Sequence, residues 1–512
     1  MSSHRRSLPA LGRLTALLAP LSLLSISCGG ETPEQNQPEQ NQPEQAQDVV
    51  TGQRALHRRL DAEDVRTMDE AGLSALSVLV PVGGSFETRP VIATGQGTFK
   101  FENVPPGPYY LKYRDTGYIL TEHRELDLDE YFLGREGVTT VETRLPVTLS
   151  VDGLDPLTEL LFLGLVTPNA GASGIFEVDS SVSPGVTSLS DAPALYQSDY
   201  GRQESIDAAK GDRSYLFQSL LHASNGVDYM SVARARALSE VTFRMDGGTS
   251  RVSGTLDVLP PRQVTIDWRR SSFELFRSAV HPLAVSLPTR SVRHNFHIMP
   301  AAGGLSKGWV GYSGELALGS IPASAQDVSF EVEYGNPYPS TWGVMANVYH
   351  NYQLPLRLPG TTSGSVTAAL IEQAELGRFL SGPVLARVSP PTLLQVDGLN
   401  AWEERDLASL TPVFTWAPPT LGTPDVYEVR ILRLFTRPSD PTRTSNELVA
   451  NFFTQGRRLQ VPPGVLQSGQ TYVVRIAAKV TPGVDLTRSP HRVKTLVDYS
   501  SAEAFTSLMR AP

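Results

Sequence analysis

The chain has 512 residues, enough for about three or four domains at roughly 150 residues each. Its net charge of −9, without any Lys/Arg-rich run, argues against a nucleic-acid partner. The single cysteine, Cys28, excludes an intrachain disulfide, so each exported domain must build its own apolar core. The 42 glycines and 39 prolines, with many Thr, Ser and Val residues, favour an all-β fold of tandem β-sandwich modules.

The first thirty residues have the three parts of a secretory signal peptide. Arg5 and Arg6 give a positive start, an apolar run covers residues 14–26, and small residues lead to Cys28. A proline interrupts the apolar run, which is also shorter than the about 20 residues that a spanning helix needs. The alternative is a buried N-terminal helix, but the polar tract that follows offers no packing partner. The pattern predicts a signal peptide over residues 1–27.

The end of this segment, Leu24-Ser25-Ile26-Ser27-Cys28, resembles the lipobox of bacterial lipoproteins. Ser27 and Cys28 fit the pattern, and Ser25 stands where the family prefers Leu. The resemblance implies that the signal is cut before Cys28 and that this cysteine is diacylated. Several acyl chains, at ~0.8 kcal/mol per buried CH₂, hold a protein on a membrane effectively permanently. Gly29 follows the cysteine in place of Asp, which by the same resemblance implies the outer membrane, with a periplasmic or surface-exposed body.

A five-residue motif is written three times after the cysteine, as PEQNQ, PEQNQ and PEQAQ over residues 33–47. So few apolar side chains cannot offset the entropy of ordering, and we expect a disordered linker over residues 28–52. Proline at every fifth position favours an extended chain, which at about 3.1 Å per residue reaches on the order of 50 Å. We interpret it as a spacer between membrane and folded body; the alternative is a low-complexity tail without that role.

A short helix is predicted over Arg54–Met68, because Leu56, Leu60 and Val65 fall roughly on one side of it. Strand patterns follow from Gly72 onward.

The most informative strand pattern lies between Thr94 and Leu120. Alternating aromatic residues flank Pro105-Pro106-Gly107, which predicts a β-hairpin. The stretch resembles the regulatory, prealbumin-like β-sandwich of the carboxypeptidase family, although Gly95-Gln96 replaces the usual Asp. The residues that match are Gly97, Phe99, Phe101, Val104, Pro105, Gly107, Tyr109 or Tyr110, Leu111, Gly117 and Tyr118. The resemblance implies a non-catalytic module over residues 53–147 with a structural or interaction role.

Short alternating runs separated by Gly, Pro, Asn and Asp continue to about residue 387, as in RVSGTLDVLP, QVTIDWR and VSFEVEYG. This spacing predicts two further β-rich domains without a recognised family. We place their boundary near Pro260-Pro261, which gives domains over residues 148–260 and 261–387.

The final segment, residues 388–512, resembles a fibronectin type III domain. Trp416 matches the core tryptophan of that family, and Leu466, Gly469 and Tyr472 match its tyrosine corner, with Ser468 in place of Pro. The resemblance implies that the Tyr472 hydroxyl bonds back to the main chain.

Motifs for chemistry are sparse. His294 and His297 form a close histidine pair, but an i,i+3 spacing in a strand puts the two rings on opposite faces, which disfavours a shared metal. The acidic run Asp127–Glu130 lacks the Gly and terminal Glu of a calcium loop, and we interpret it as a solvated edge. No nucleophile elbow, Walker loop or dinucleotide fingerprint is present, so we predict no catalytic residue, metal or cofactor, although a triad of distant residues stays open.

One loop, EYGNPYPSTW, carries Tyr334, Tyr338 and Trp342 among Gly, Asn and Pro. Aromatic faces on such a loop can stack on sugars or form a protein contact, which makes the three rings a candidate binding surface. The alternative is that they cap the edge of a sandwich.

The sequence as a whole predicts a non-enzymatic lipoprotein, anchored through Cys28, that displays β-sandwich modules to an envelope protein or polysaccharide. The alternative function is a carbohydrate-active or peptidase accessory protein, or a hydrolase with its site in residues 145–385.

Overall fold

Strands dominate the computed structural model, which describes residues 48–60, 63–157, 162–179, 182–199, 201–285, 293–306 and 308–512. The all-β prediction is confirmed. The signal peptide, Cys28 and the repeats lie outside the described residues. Residues 48–512 form one unit, and within the described ranges no helix is long and apolar enough to cross a membrane.

The N-terminal part builds a two-sheet sandwich. Its strands are β1 Val49–Gln53, β2 Ala55–Arg59, β3 Asp64–Met68, β4 Ser77–Val82, β5 Ser85–Pro90, β6 Ile92–Gly95, β7 Thr98–Glu102, β8 Tyr109–Lys112, β9 Gly117–Thr121, β10 Glu125–Asp127, β11 Glu130–Leu133, β12 Thr140–Val141 and β13 Leu145–Asp152. One sheet of the sandwich has the order β10-β1-β7-β6, and β5, β4, β8 and β9 pair in the other. Strands β11, β2 and β3 form a separate sheet, and β12 and β13 pair with strands of the middle part. The apolar side chains of the two sheets meet in a core that includes Val50, Phe99, Phe101, Leu111 and Ile119.

Two local predictions in this part are wrong. The segment predicted as a helix forms β2 and β3. It buries Arg54, Ala55 and Arg59, whereas Val65 on the predicted apolar side is exposed. The predicted hairpin is absent, because β7 pairs with β1 and β6 while β8 pairs with β4 and β9. The prolines between β7 and β8 offer no N–H for a hairpin turn, and the chain crosses between the sheets there.

The middle part contains the strands β14 Phe162–Thr167, β15 Ala172–Val178, β16 Leu189–Ser198, β17 Gln203–Glu204, β18 Ser214–Ser224, β19 Val227–Leu238, β20 Ser250–Thr255, β21 Asp257–Val258, β22 Arg262–Trp268, β23 Arg293–Ala301, β24 Ala317–Pro322, β25 Val328–Tyr334, β26 Gly343–Leu354 and β27 Val366–Glu375. The helices α1 Arg270–Glu274, α2 Arg277–Val280 and α3 Leu376–Phe379 are short, as are 3-10 turns at Ala71–Ala75, Pro168–Ala170, Ala208–Lys210 and Pro490–Thr495. A separate apolar core lies under β13–β16, and β19 pairs with β24 to continue the sheet.

The C-terminal part is a second sandwich, with β28 Thr392–Val396, β29 Leu399–Asn400, β30 Arg405–Asp406, β31 Val413–Ala417, β32 Val426–Arg437, β33 Asp440–Thr454, β34 Arg458–Gln460, β35 Thr471–Val480, β36 Tyr499–Phe505 and β37 Met509–Arg510. One sheet has the order β29-β28-β31-β34, and the other contains β33, β32, β35 and β36. Trp416 is buried between them, with its ring at 5.4 Å from that of Tyr427.

Strand pairing continues across the predicted modules. β27 pairs with β36, and β33 pairs in parallel with β9, so one sheet runs from the middle part through the C-terminal sandwich into the N-terminal one. Strand β1 begins at Val49, inside the segment assigned to the linker, and β13 spans the predicted boundary at residue 147. The remaining domain boundaries stay predictions.

Candidate functional site

The three rings proposed as a binding surface are buried, which corrects that hypothesis. Tyr334, Tyr338 and Trp342 are only 3%, 9% and 5% exposed. The Tyr338 and Trp342 rings stack with centroids 4.4 Å apart, and the Tyr215 ring lies 4.9 Å from that of Tyr338. The Tyr338 hydroxyl donates to the Ser313 carbonyl at 3.2 Å, so the loop fills the core instead of presenting its rings to a ligand.

The histidine pair of β23 alternates as its spacing predicts. His294 is fully buried and its ring stacks on that of His350 at 3.7 Å, while His297 on the other face lies 3.3 Å from Glu315. The Asn351 N–H points at Nδ1 of His294 at 3.0 Å. Burial, followed by the neighbouring His350, lowers the pKa of His294 to about 2, so this ring is a neutral core residue.

The acidic run is not the solvated edge that the sequence suggested. Asp129 and Glu130 are 5% and 8% exposed. Asp129 accepts from His57 at 2.7 Å, and Glu130 pairs with Arg54 at 2.8 Å and with Arg114 at 3.2 Å. Arginine partners make their burial tolerable. Across the residues that the structure describes, no group of three or more His, Cys, Asp or Glu side chains is arranged to hold a metal.

Two carboxylates of the middle part face a small cavity that the sequence did not reveal. Asp199 accepts from the Ser173 hydroxyl at 2.7 Å, and Glu315 on the other side bonds to the Tyr312 hydroxyl. The cavity has a volume of about 60 Å³. Ligand sites commonly need about 300–1,000 Å³, so this pair gives little support to a hydrolase site in residues 145–385.

A larger cleft opens where the N-terminal and C-terminal sandwiches join, and we call it the Tyr110 cleft. It has a volume of about 570 Å³ and is lined by residues of the loops and strands around β8, β9, β33 and β34. Leu120 and Pro108 give apolar walls, and Glu122, Arg457 and Arg458 are exposed at its rim. The volume lies in the range of small-ligand and peptide-side-chain sites, and the rim offers charge of both signs.

The floor of the Tyr110 cleft is held rigidly by hydrogen bonds between the two sandwiches. The Tyr110 hydroxyl donates to the Gln460 carbonyl at 2.8 Å and accepts from the Gln460 N–H at 3.2 Å. Burial raises the pKa of Tyr110 to about 12, so the hydroxyl keeps its proton at physiological pH. Beside it, β9 and β33 pair in parallel, with Leu120 opposite Thr454. A preformed cleft of this kind loses little ordering entropy when a ligand binds.

At the edge of the cleft, the His123 Nε2–H donates to the Asp485 carboxylate at 2.7 Å, another link between the first and last parts of the chain. None of these contacts was visible in the sequence, because residues 110 and 460 are far apart and carry no shared motif. The local signal is the aromatic pair Tyr109-Tyr110, because adjacent residues of a strand point to opposite faces and one of the two rings must therefore leave the core of its own sandwich.

Comparisons with known proteins add little to this picture. No family model and no curated protein match the chain. Among solved structures, it is similar to a Streptococcal ancillary pilin at 12% identity, with 63% of this chain and 95% of that chain covered and a TM-score of 0.11. A TM-score this low carries no argument about fold or function.

Proposed function

We propose that the protein is a non-enzymatic lipoprotein of the bacterial outer membrane whose β-sandwich body binds an envelope protein or polysaccharide at the Tyr110 cleft. The observation that carries the proposal is the cleft itself, a preformed opening of about 570 Å³ between two sandwiches that are hydrogen-bonded to each other. In this proposal Cys28 carries the lipid and residues 33–47 are the spacer that lifts the body from the membrane.

The proposal extends to the identity of the two sandwiches. The N-terminal one is proposed as a carboxypeptidase regulatory-like module, which is supported by the buried side chains of Phe99, Phe101 and Tyr109. The C-terminal one is proposed as a fibronectin type III-like module. Its support is the tyrosine corner, where the Tyr472 hydroxyl accepts from the Gln467 N–H at 2.8 Å.

Binding can be tested with the double variant Arg457→Glu/Arg458→Glu, which reverses the charge at the rim of the cleft. Purified full-length protein is mixed with isolated envelope polysaccharide and, separately, with detergent-extracted envelope proteins, and the bound fraction is measured by co-sedimentation and cross-linking. We expect the variant to lose about tenfold in affinity for one of the two fractions, equivalent to about 1.4 kcal/mol. The matched control is Arg244→Glu/Arg251→Glu, which reverses the charge of two exposed arginines that do not line the Tyr110 cleft. Equal binding by wild type, variant and control would refute the role of the cleft.

The anchor has its own test. Palmitate labelling in cells is expected for the wild type and absent for Cys28→Ser, and the variant should leave the membrane fraction. Labelling that persists in Cys28→Ser would refute the anchor while leaving the cleft proposal untouched.

A further inference from the structure

A second cleft, lined mainly by cationic side chains, lies beside Tyr131 on β11, and we call it the Tyr131 cleft. It has a volume of about 510 Å³ and lies between β2, β3 and β11, the loop around Ser306 and Val310, and the 3-10 turn at Pro490–Thr495. Its charged lining residues are Arg59, Arg66, Arg492 and Asp64, together with His57. Three guanidinium groups face Asp64 in the lining, and Asp129 lies beside it at 3.6 Å from Arg66, so an excess of one positive charge remains.

The innermost cation is fixed in place. Arg59 is 5% exposed, and its Nη1 donates to the carbonyls of Gly308 at 2.8 Å and Gly304 at 3.2 Å. Its Nε donates to Asp64 at 3.1 Å. Asp64 offsets part of the charge, and the remaining field is weakly screened because little water enters a half-enclosed cleft. Arg59 is therefore held in one orientation at the base of the cleft, unlike a solvated surface arginine.

The other two guanidiniums lie at the mouth of the cleft with weak or distant partners in the described part of the chain. Arg66 is 43% exposed, donates to the thioether of Met68 at 3.2 Å, and lies 3.6 Å from Asp129. Arg492 donates from Nε to the Thr495 hydroxyl at 2.9 Å, which engages one edge of its planar fork. Arginine forks of this kind bind phosphoryl and carboxylate groups through paired N–H donors.

The aromatic ring in this cleft is not a platform for a neutral sugar. The His57 ring stacks on Tyr131 with centroids 4.8 Å apart, and the Arg492 guanidinium lies over the Tyr131 ring at 5.4 Å. Little of the ring face remains for a ligand to stack on. Recognition in the cleft therefore depends on charge and hydrogen bonding.

We propose that the Tyr131 cleft binds a phosphoryl group, with Arg59 at its base and Arg66 and Arg492 closing on its oxygens. A phosphate monoester offers three strong acceptor oxygens to the three guanidinium groups, whereas a carboxylate offers two. The phosphoryl group can belong to a free phosphate compound or to a lipid headgroup at the membrane. The proposal does not depend on the Tyr110 cleft, which shares none of these lining residues.

Inorganic pyrophosphate is the probe for the free compound, and phosphatidylcholine vesicles with and without phosphatidate are the probe for the headgroup. Binding to purified full-length protein is measured by calorimetry at low salt and by vesicle co-sedimentation. We expect saturable binding in at least one arm, and Arg66→Gln and Arg492→Gln should each weaken it about tenfold. Pyrophosphate binding without phosphatidate dependence assigns a free compound, and the reverse assigns a headgroup.

The matched control is Arg244→Gln, an exposed arginine paired with Asp246 elsewhere on the surface, which should bind like the wild type. Arg66 is the decisive position, because its exposed side chain can be changed without disturbing the core, and unchanged circular dichroism confirms the fold of each variant. Binding in neither arm, or an Arg66→Gln variant that binds like the control, would overturn the proposal.

Discussion

Replacing Glu428 with glutamine tests whether a buried ion cluster stabilises the C-terminal sandwich. The Glu428 side chain is 1% exposed, and its carboxylate lies 2.6 Å from Arg430, 3.3 Å from Lys479 and 3.7 Å from Arg475. Burial by itself would raise the pKa of this carboxyl, but Lys479, Arg430 and Arg475 outweigh burial and lower it from 4.5 to about 2. At about 1.4 kcal/mol per pH unit, the cluster contributes about 3 kcal/mol to the free energy of unfolding.

Glutamine keeps the volume of the side chain but leaves Arg430 and Lys479 without their buried counter-charge, while Arg475 keeps Glu503 at 2.8 Å. Breaking a buried ion pair in this way costs about 3–5 kcal/mol in other proteins. We expect Glu428→Gln to lower the free energy of unfolding by about 3 kcal/mol at pH 7. The lowered pKa means that the contribution is complete above pH 4.5 and is lost as the pH falls toward 2, so the difference should be about halved at pH 3.

Urea unfolding, followed by tryptophan fluorescence at pH 7 and pH 3, measures both values. The control is Glu87→Gln, which removes an exposed carboxylate beside Arg89 and should change the free energy of unfolding by less than about 1 kcal/mol. A loss below about 1 kcal/mol for Glu428→Gln at pH 7, or the same loss at both pH values, would refute the reasoning.

Three further substitutions test other parts of the fold. The pKa of buried His294 is lowered to about 2, so as the pH falls below 6.5 this histidine is protonated in the unfolded chain but not in the folded one, and the free energy of unfolding decreases. His294→Gln should make that decrease between pH 6.5 and 4.5 shallower by about 1.4 kcal/mol per pH unit. A slope equal to that of the wild type in urea titrations would contradict this. Tyr110→Phe should lower the free energy of unfolding by about 1–3 kcal/mol. The loss should exceed that of Tyr472→Phe, because the Tyr110 hydroxyl makes two hydrogen bonds and the Tyr472 hydroxyl makes one. Equal urea midpoints for both variants would argue against the link between the sandwiches. In Gly319→Ala the new Cβ would meet the Phe296 ring at 1.9 Å, and we expect a loss of about 1–3 kcal/mol, which a wild-type melting curve would disprove.

The fold class could be predicted from the sequence because alternation reports which side chains face a core. Phe99 and Phe101 alternate with polar neighbours, and both are buried. Trp416 and Tyr472 are buried as well, and the Tyr472 hydroxyl makes the main-chain bond that its motif implies. These features are local, since each depends on residues within one strand or one turn.

Strand pairing and tertiary contacts could not be predicted from the alternation pattern. Alternation shows that β7 and β8 are strands, but it does not say that they pair in different sheets. The apolar spacing of residues 54–68 fits a helix, yet the chain there forms two strands that pair with each other, and Arg59 on one of them pairs with Asp64 on the other. The rings of Tyr338 and Trp342 lie among Gly, Asn and Pro in the sequence, and only the fold shows that Tyr215 covers them.

No sequence motif indicates either cleft, because the residues that form each one are far apart in the sequence. Each is assembled from residues near the start of the folded body and residues near its end, with Tyr110 facing Gln460 in one cleft and Tyr131 facing Arg492 in the other. The parallel pairing of β9 with β33 brings these distant segments together. Because a single window of sequence holds only half of either cleft, each half looks like an ordinary strand or turn. The binding that we propose at the Tyr110 cleft therefore depends on how the N-terminal sandwich joins the C-terminal one. Substitutions at that junction, such as Tyr110→Phe, report on the same contacts that shape the cleft.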